Sequence, residues 1–200
     1  MDASTNPHGF LDPPEPSPDG QRLLDDDLES YGYVMNLSRL WGHDPSMHDG
    51  LFQLLSRAVR SAGLTLRQRG VLVAACASEL GDAYCSLAWG TKLAGEASAE
   101  VAAAVLGGSD EGLDDTERAL ARWARAVVED PNRTVAADVD ALRSVGFDDR
   151  QIFAITCFVA CRLAFSTVND ALGTRPDAEL VAGAPEAVRA AVSYGRPPVR

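Results

Sequence analysis

One segment of this 200-residue chain gathers residue types that could do chemistry: Asp82, Tyr84, Cys85 and Trp89. On a helix Asp82 and Cys85, three residues apart, share a side, with Trp89 a further turn along. A thiol in the first turn of a helix is acidified by the positive end of the dipole. A carboxylate beside it works the other way, because a second anion is disfavoured next to the first. Asp82 therefore opposes thiolate chemistry and offers an acid or a base instead, a role that partial desolvation beside Trp89 would favour near neutral pH. The same residue type also serves as a helix N-cap, and the two roles are compatible. Trp89 supplies a large apolar wall with a single N–H donor. Tyr84 is either a hydrogen-bond donor into a pocket or a core residue.

The other nucleophiles and ligands are dispersed. Cys76 stands nine residues before Cys85, across an expected helix break, so it makes a poor disulfide partner. Cys157 and Cys161 share a helix face among Phe158, Val159 and Leu163, with no His near in sequence, and read as buried packing. His8 lies near the N-terminus. His43 and His48, five apart, are badly spaced for two ligands on one helix, so no metal site and no cofactor is expected. His43, in a loop after Trp41-Gly42, is the histidine with a route to a pocket as a base. Arg67 and Arg69 are expected to pair with acids, and Glu79 to be solvated or to cap.

The elements that would position these residues are helical. Asp44-Pro45 reads as an N-cap followed by proline at the first helical position, and Gly63 stops the helix. Thr65…Gln68, Asp114…Glu117 and Asp148…Gln151 have capping-box spacing. The first opens a segment over 66–81, and the second precedes the stripe Leu120, Trp123, Val127. Val135, Val139 and Leu142 form another stripe, and 152–172 is apolar almost all round, as a central buried helix would be. Strand alternation is lacking. The expectation is an all-α single domain of about seven to nine helices. Five of the eleven prolines fall in residues 1–20, so 1–20 reads as a flexible lead, 21–194 as the folded body and 195–200 as a flexible tail.

Composition narrows the function classes. The chain is 46% hydrophobic, enough for a real core, and its net charge of −11 argues against nucleic acid or an anionic membrane surface as partner. There is no run of about 18 apolar residues and no secretory signal pattern, so a cytoplasmic protein is expected. Seventeen of its eighteen basic residues are Arg, which fits a GC-rich bacterial source.

The segment Glu79-Leu-Gly-Asp-Ala-Tyr-Cys-Ser-Leu-Ala-Trp89 resembles the redox segment of the alkylhydroperoxidase D-like proteins, in the carboxymuconolactone decarboxylase superfamily. Gly32-Tyr-Val-Met-Asn-Leu37 with His43-Asp-Pro45, Leu113–Leu120, Val145–Asp149 and Asp170-Ala-Leu-Gly173 extend the resemblance over roughly residues 30–177. It implies an all-helical fold of that type and a homo-oligomer. That family's motif is Cys-x-Tyr-Cys-x-x-x-His, with a Glu twelve residues upstream. Here the CxxC motif is degenerate: Asp82 stands at the first Cys, Cys85 at the second, Trp89 at the His and Gly70 at the Glu. Ser166-Thr167 replaces the Asn-Arg pair that commonly precedes the last Asp-Ala-Leu-Gly. The resemblance thus implies the scaffold without the dithiol, since a disulfide needs a second sulfur with Cα atoms about 4.4–6.8 Å apart.

The expected function is a non-redox enzyme of lyase or isomerase type, a decarboxylase, isomerase or cyclase acting on a small organic or biosynthetic intermediate. Asp82, Cys85, Tyr84 and His43 are the catalytic candidates, with Gly70, Trp89, Ser166 and Thr167 around the pocket. The alternatives are a single-cysteine peroxidase using Cys85 and a non-catalytic small-molecule binding or structural protein.

Overall fold

Sequence signals and helix boundaries coincide where capping chemistry is strong. The structure, a computed structural model, describes residues 8–199. Eleven helices and no strand occur among them: α1 (Pro18–Tyr31), α2 (Asn36–Trp41), α3 (Pro45–Ala62), α4 (Leu66–Leu80), α5 (Ala83–Glu96), α6 (Ala99–Leu106), α7 (Asp115–Glu129), α8 (Ala136–Ser144), α9 (Asp149–Ala171), α10 (Ala178–Gly183) and α11 (Glu186–Ala191). Asp44 caps α3 by accepting from the N–H groups of Ser46 and Met47, at 3.1 and 3.3 Å. Thr65 and Gln68 close a reciprocal box on α4, at 3.1 and 3.0 Å. Asp114 with Glu117 does so on α7 and Asp148 with Gln151 on α9. Each box satisfies two N–H groups that a helix start leaves without partners. The number of helices exceeds the expected seven to nine because α2, α10 and α11 are six-residue helices without a side-chain cap.

α4 is the hub. It packs on α5, α7, α6 and α9, while α3 lies along α9 and α11 covers α6. Val71, Leu72, Val73 and Ala74 are wholly buried on successive positions, so α4 is apolar all round and meets neighbours on every side. Gly70, expected at the pocket, instead marks the α4–α5 crossing. A Cβ there would meet Leu93 Cβ and Cδ1 at 3.2 Å, so the missing side chain lets the two helices approach. α9 is long and apolar enough to cross a membrane by length and composition, and half of its most apolar window is buried inside the fold. A smaller apolar cluster of Leu23, Trp41, Ala77, Cys85 and Phe165 joins α1, α2, α4, α5 and α9.

Both chain ends make contacts that their composition did not suggest. Residues 1–7 of the expected lead and Arg200 of the expected tail lie outside the described residues. Helix α1 starts at Pro18, inside the range assigned to the lead, because Ser17 caps it and proline is tolerated in the first turn. Phe10 N–H donates to the Leu172 carbonyl at 2.8 Å, and its ring covers Gly173. From the other end, the Tyr194 hydroxyl donates to Ser86 Oγ at 3.0 Å, and Arg196 Nη2 donates to the Asp170 carbonyl at 2.9 Å. The Arg196 guanidinium also lies 4.7 Å from the Phe10 ring centre. Arg175 donates to the carbonyls of Pro197 and Pro198, and Val199 N–H to that of Pro176. Backbone and cation contacts hold these proline-rich segments where apolar burial could not. Gly195 is the pivot, with φ of 72°, and a Cβ on it would lie 2.5 Å from the Gly81 carbonyl oxygen.

Gly195→Ala is expected to release the tail, since it adds both a left-handed strain of about 1–2 kcal/mol and a backbone clash. Amide hydrogen exchange at Val199 should accelerate at least about tenfold while α4 and α9 amides keep wild-type protection.

Candidate active site

Helix α5 begins at Asp82, which is wholly buried and accepts the Cys85 N–H at 2.9 Å through Oδ1. Its second carboxylate oxygen, Oδ2, is buried without a hydrogen-bond partner. That places Asp82 behind the helix start as its cap, and it does not line the cavity in front of Cys85. Of the two roles the sequence offered for Asp82, the structure shows the N-cap, and its carboxyl is not among the groups that line the cavity.

The cavity has a volume of about 160 Å³ and lies between α1, α2, α3, α5 and α9. Tyr84, Cys85 and Trp89 line it as the spacing on α5 implied. So do Asp27, His48, Lys92 and Arg162, which sequence reasoning did not propose for the site. Cys85 is buried, and its thiol is pushed up by that burial and by Asp82, against the opposing effect of Arg162. Cys85 is accordingly a neutral thiol at pH 7. Cys76 is likewise buried, its thiol pushed up to about 12 by burial, and all four cysteines are free.

Arg162 is the residue that sequence reasoning missed most clearly. It sits on the inward stripe of α9 with Ile155, Phe158, Phe165 and Asn169, and is only 4% exposed. Nη2 donates to Cys85 Sγ at 3.3 Å, while Nε is buried without a partner. The guanidinium lies 5.5 Å from the Trp89 ring centre and 5.1 Å from that of Phe165. A charged residue at i+3/i+4 spacing within a largely apolar stripe of α9 was the available signal.

Asp27, on α1, is 7% exposed and accepts the Met35 N–H at 2.9 Å. Burial raises its pKa, opposed by hydrogen bonds from Ser38 and Met35 and by the nearby His48. The His48 ring stacks on Phe52 at 4.3 Å and meets the Trp41 ring at 5.9 Å between centroids. His43, the histidine expected to act as base, is exposed and lines a separate cavity of about 370 Å³ beside the N-terminal segment. The difference is one of helix phase: His48 shares a stripe with Leu55 and Ala62, which face α9, whereas His43 precedes the helix start.

The remaining candidates divide. Tyr84 directs its hydroxyl at Asp177, whose other oxygen accepts the Asn36 N–H at 3.0 Å, so Tyr84 positions the start of α2. Burial pushes the Tyr84 hydroxyl up and raises Asp177 as well. Ser166 is buried with its hydroxyl beside the Cys85 thiol, although it does not line the cavity. Thr167 is exposed, one residue round α9, and is not a pocket residue. Arg67 grips Glu117 at 2.5 and 2.9 Å, and Glu79 is exposed. Among the described residues no three His, Cys, Asp or Glu side chains converge as a metal site.

Solved structures share this arrangement of helices. The alkylhydroperoxidase AhpD core, an uncharacterized peroxidase-related protein from Ralstonia eutropha JMP134, superposes with a TM-score of 0.76 at 24% identity, over 88% of this chain and 96% of that one. This chain has the alkylhydroperoxidase D-like fold. A peroxidase-related protein from Silicibacter sp. TM1040 gives 0.73 at 20% identity, over 90% and 97% of the two chains. The debrominase Bmp8, in complex with 2,3,4-tribromopyrrole, gives 0.70 at 14% identity, over 88% and 97%. No protein-family profile and no curated protein sequence matches the chain.

Two solution measurements follow from this polar framework. Tyr84→Phe should cost about 1–3 kcal/mol, read as a lower urea midpoint with an unchanged slope. Asp170, half-buried beyond the end of the site, is raised to about 7 by burial and by the charge of Asp82. The folded chain holds that proton in a range where an unfolded Asp, with a pKa of about 3.9, has lost it. This group's contribution to stability therefore declines as pH rises from about 4 to about 7. Asp170→Asn should flatten the melting temperature over that window and raise it at pH 8.

Proposed function

We propose that this chain is a non-redox enzyme that performs acid–base chemistry, of the decarboxylase, isomerase or cyclase type, on a small organic molecule held in the Cys85 cavity. The observation that carries the reading is the convergence of a buried carboxyl with a raised pKa, Asp27, and the imidazole of His48 on a cavity whose thiol is neutral. General acids and bases work best with pKa values near the working pH, and burial moves Asp27 in that direction. In an isomerisation Asp27 or His48 takes a proton from a carbon next to a carbonyl and returns it to another atom of the same molecule. In a decarboxylation the C–C bond to the carboxylate breaks, CO2 leaves, and the electron pair left on carbon takes a proton from the acid. Neither step needs an oxidant or a second thiol.

Peroxide reduction by Cys85 has less support. The reactive species is the thiolate, and burial together with Asp82 disfavours it. Peroxidase-related proteins and a debrominase share the fold, which accommodates more than one chemistry. The debrominase complex with 2,3,4-tribromopyrrole supports a small ring as the kind of guest such a scaffold admits.

The test follows small oxo acids and enones by NMR in D2O, recording loss of CO2 or deuterium at carbon. Asp27→Asn should lower turnover by about 10²–10⁴-fold with the circular dichroism spectrum intact, while Cys85→Ser stays within a few-fold of wild type. Iodoacetamide should label native Cys85 only well above pH 8.5. Rapid labelling at pH 7 with peroxide-dependent sulfenic acid at Cys85 would move the chain to the peroxidase reading, and ligand binding without turnover to the binding-protein reading.

A further inference from the structure

We propose that the Cys85 cavity is an anion site, and that its ligand is a small planar monocarboxylate held by Arg162 between the Trp89 and Phe165 rings. This rests on the reading that the cavity is the working site, and it names the class of molecule that enters. Buried charges in proteins are almost always paired, because an ion removed from water needs a counter-charge or a full set of hydrogen bonds. Arg162 has neither. It is 4% exposed and forms no ion pair with any described carboxylate. Its hydrogen bond from Nη2 goes to an uncharged thiol, and Nε is buried and unpartnered. The faces of the Trp89 and Phe165 rings stabilise the cation in part, but ring quadrupoles leave the planar N–H fork unfilled. That fork matches the two oxygens of a carboxylate.

The rest of the cavity selects the body of the molecule. Trp41 and Phe165 stack at 5.3 Å with 12° between their planes, and Phe52 meets Phe165 edge-on at 5.4 Å. Such walls favour a flat apolar skeleton over a polyol. At about 160 Å³ the space falls below the roughly 300–1,000 Å³ of sites for drug-sized ligands, so the molecule is small. Lys92, exposed and 4.9 Å from the Trp89 ring centre, adds a second cation at the edge of the cavity. Asp27, also on the cavity wall, opposes a second negative charge on the ligand, which is why a monoanion fits better than a dianion.

The probe is sodium benzoate, with benzamide as its uncharged counterpart, titrated into the full chain at pH 7 and constant ionic strength. The readout is tryptophan fluorescence, since Trp89 and Trp41 both line the cavity. Benzoate should bind at least tenfold more tightly than benzamide. Arg162→Gln should bring the two within about threefold, and Lys92→Gln should weaken benzoate by a smaller factor. Equal affinity for the two probes, no binding of either, or a preference that survives in Arg162→Gln would overturn the proposal. If Arg162→Gln does not fold, the wild-type preference decides, together with protection of Cys85 from iodoacetamide at high pH by benzoate but not by benzamide. Benzoate preference without any turnover leaves this inference standing and defeats the enzymatic reading. Turnover of uncharged enones without benzoate preference does the reverse.

Discussion

A guanidinium inside an apolar helix stripe is the constraint on which the site depends. Arg162 projects from the middle of α9, the helix that α3, α4 and α7 pack against, so it cannot leave without unpacking the core. Its charge must be managed where it stands, and the neighbouring side chains divide that task. Two ring faces flank it and a thiol accepts one N–H. No described carboxylate pairs with Arg162, so its guanidinium is a local positive charge in a chain whose formal charge is −11.

The same geometry explains the state of the thiol. A cysteine in the first turn of a helix, beside an arginine, has two of the features that acidify thiols. Burial and the Asp82 carboxylate outweigh both, because removing the thiolate from water is the larger effect. Asp82 in turn is held by the requirements of α5: its oxygen satisfies the Cys85 N–H at the helix start. Asp82 is thus a cap that also disfavours the Cys85 thiolate. From α1 and α3, Asp27 and His48 reach the wall of the same cavity.

The two chain ends complete the support of α5 and α9. The N-terminal segment lies on the C-terminal end of α9 through Phe10, and the tail crosses the start of α5 at Gly195. Tyr194 holds Ser86, and Arg196 holds the Asp170 carbonyl. These contacts use backbone carbonyls, arginine side chains and one pair of hydroxyls, a mode of attachment suited to proline-rich segments, whose prolines have no N–H to donate.

Local chemistry made the helices legible in the sequence. Capping boxes at Thr65, Asp114 and Asp148, the Asp44-Pro45 start and the Gly63 stop act within a few residues, so their outcome is written in adjacent positions. The order of these elements, with the residues around Cys85, was also enough to indicate the fold. Residues on one helix could be placed together, which is why Tyr84, Cys85 and Trp89 line one cavity as their spacing implied. Gly70 and Thr167 were misplaced because a motif position does not reveal which neighbour a helix face meets. That His48 and Asp27 line the cavity while His43 and Asp82 do not was decided by the phase of α3 and the docking of α1 onto it. Arg162 approaches Cys85 across 77 residues of intervening chain. No local rule connects such positions; the pairing exists only once α4, α5 and α9 have packed, since the free energy of burial is a property of the assembled core.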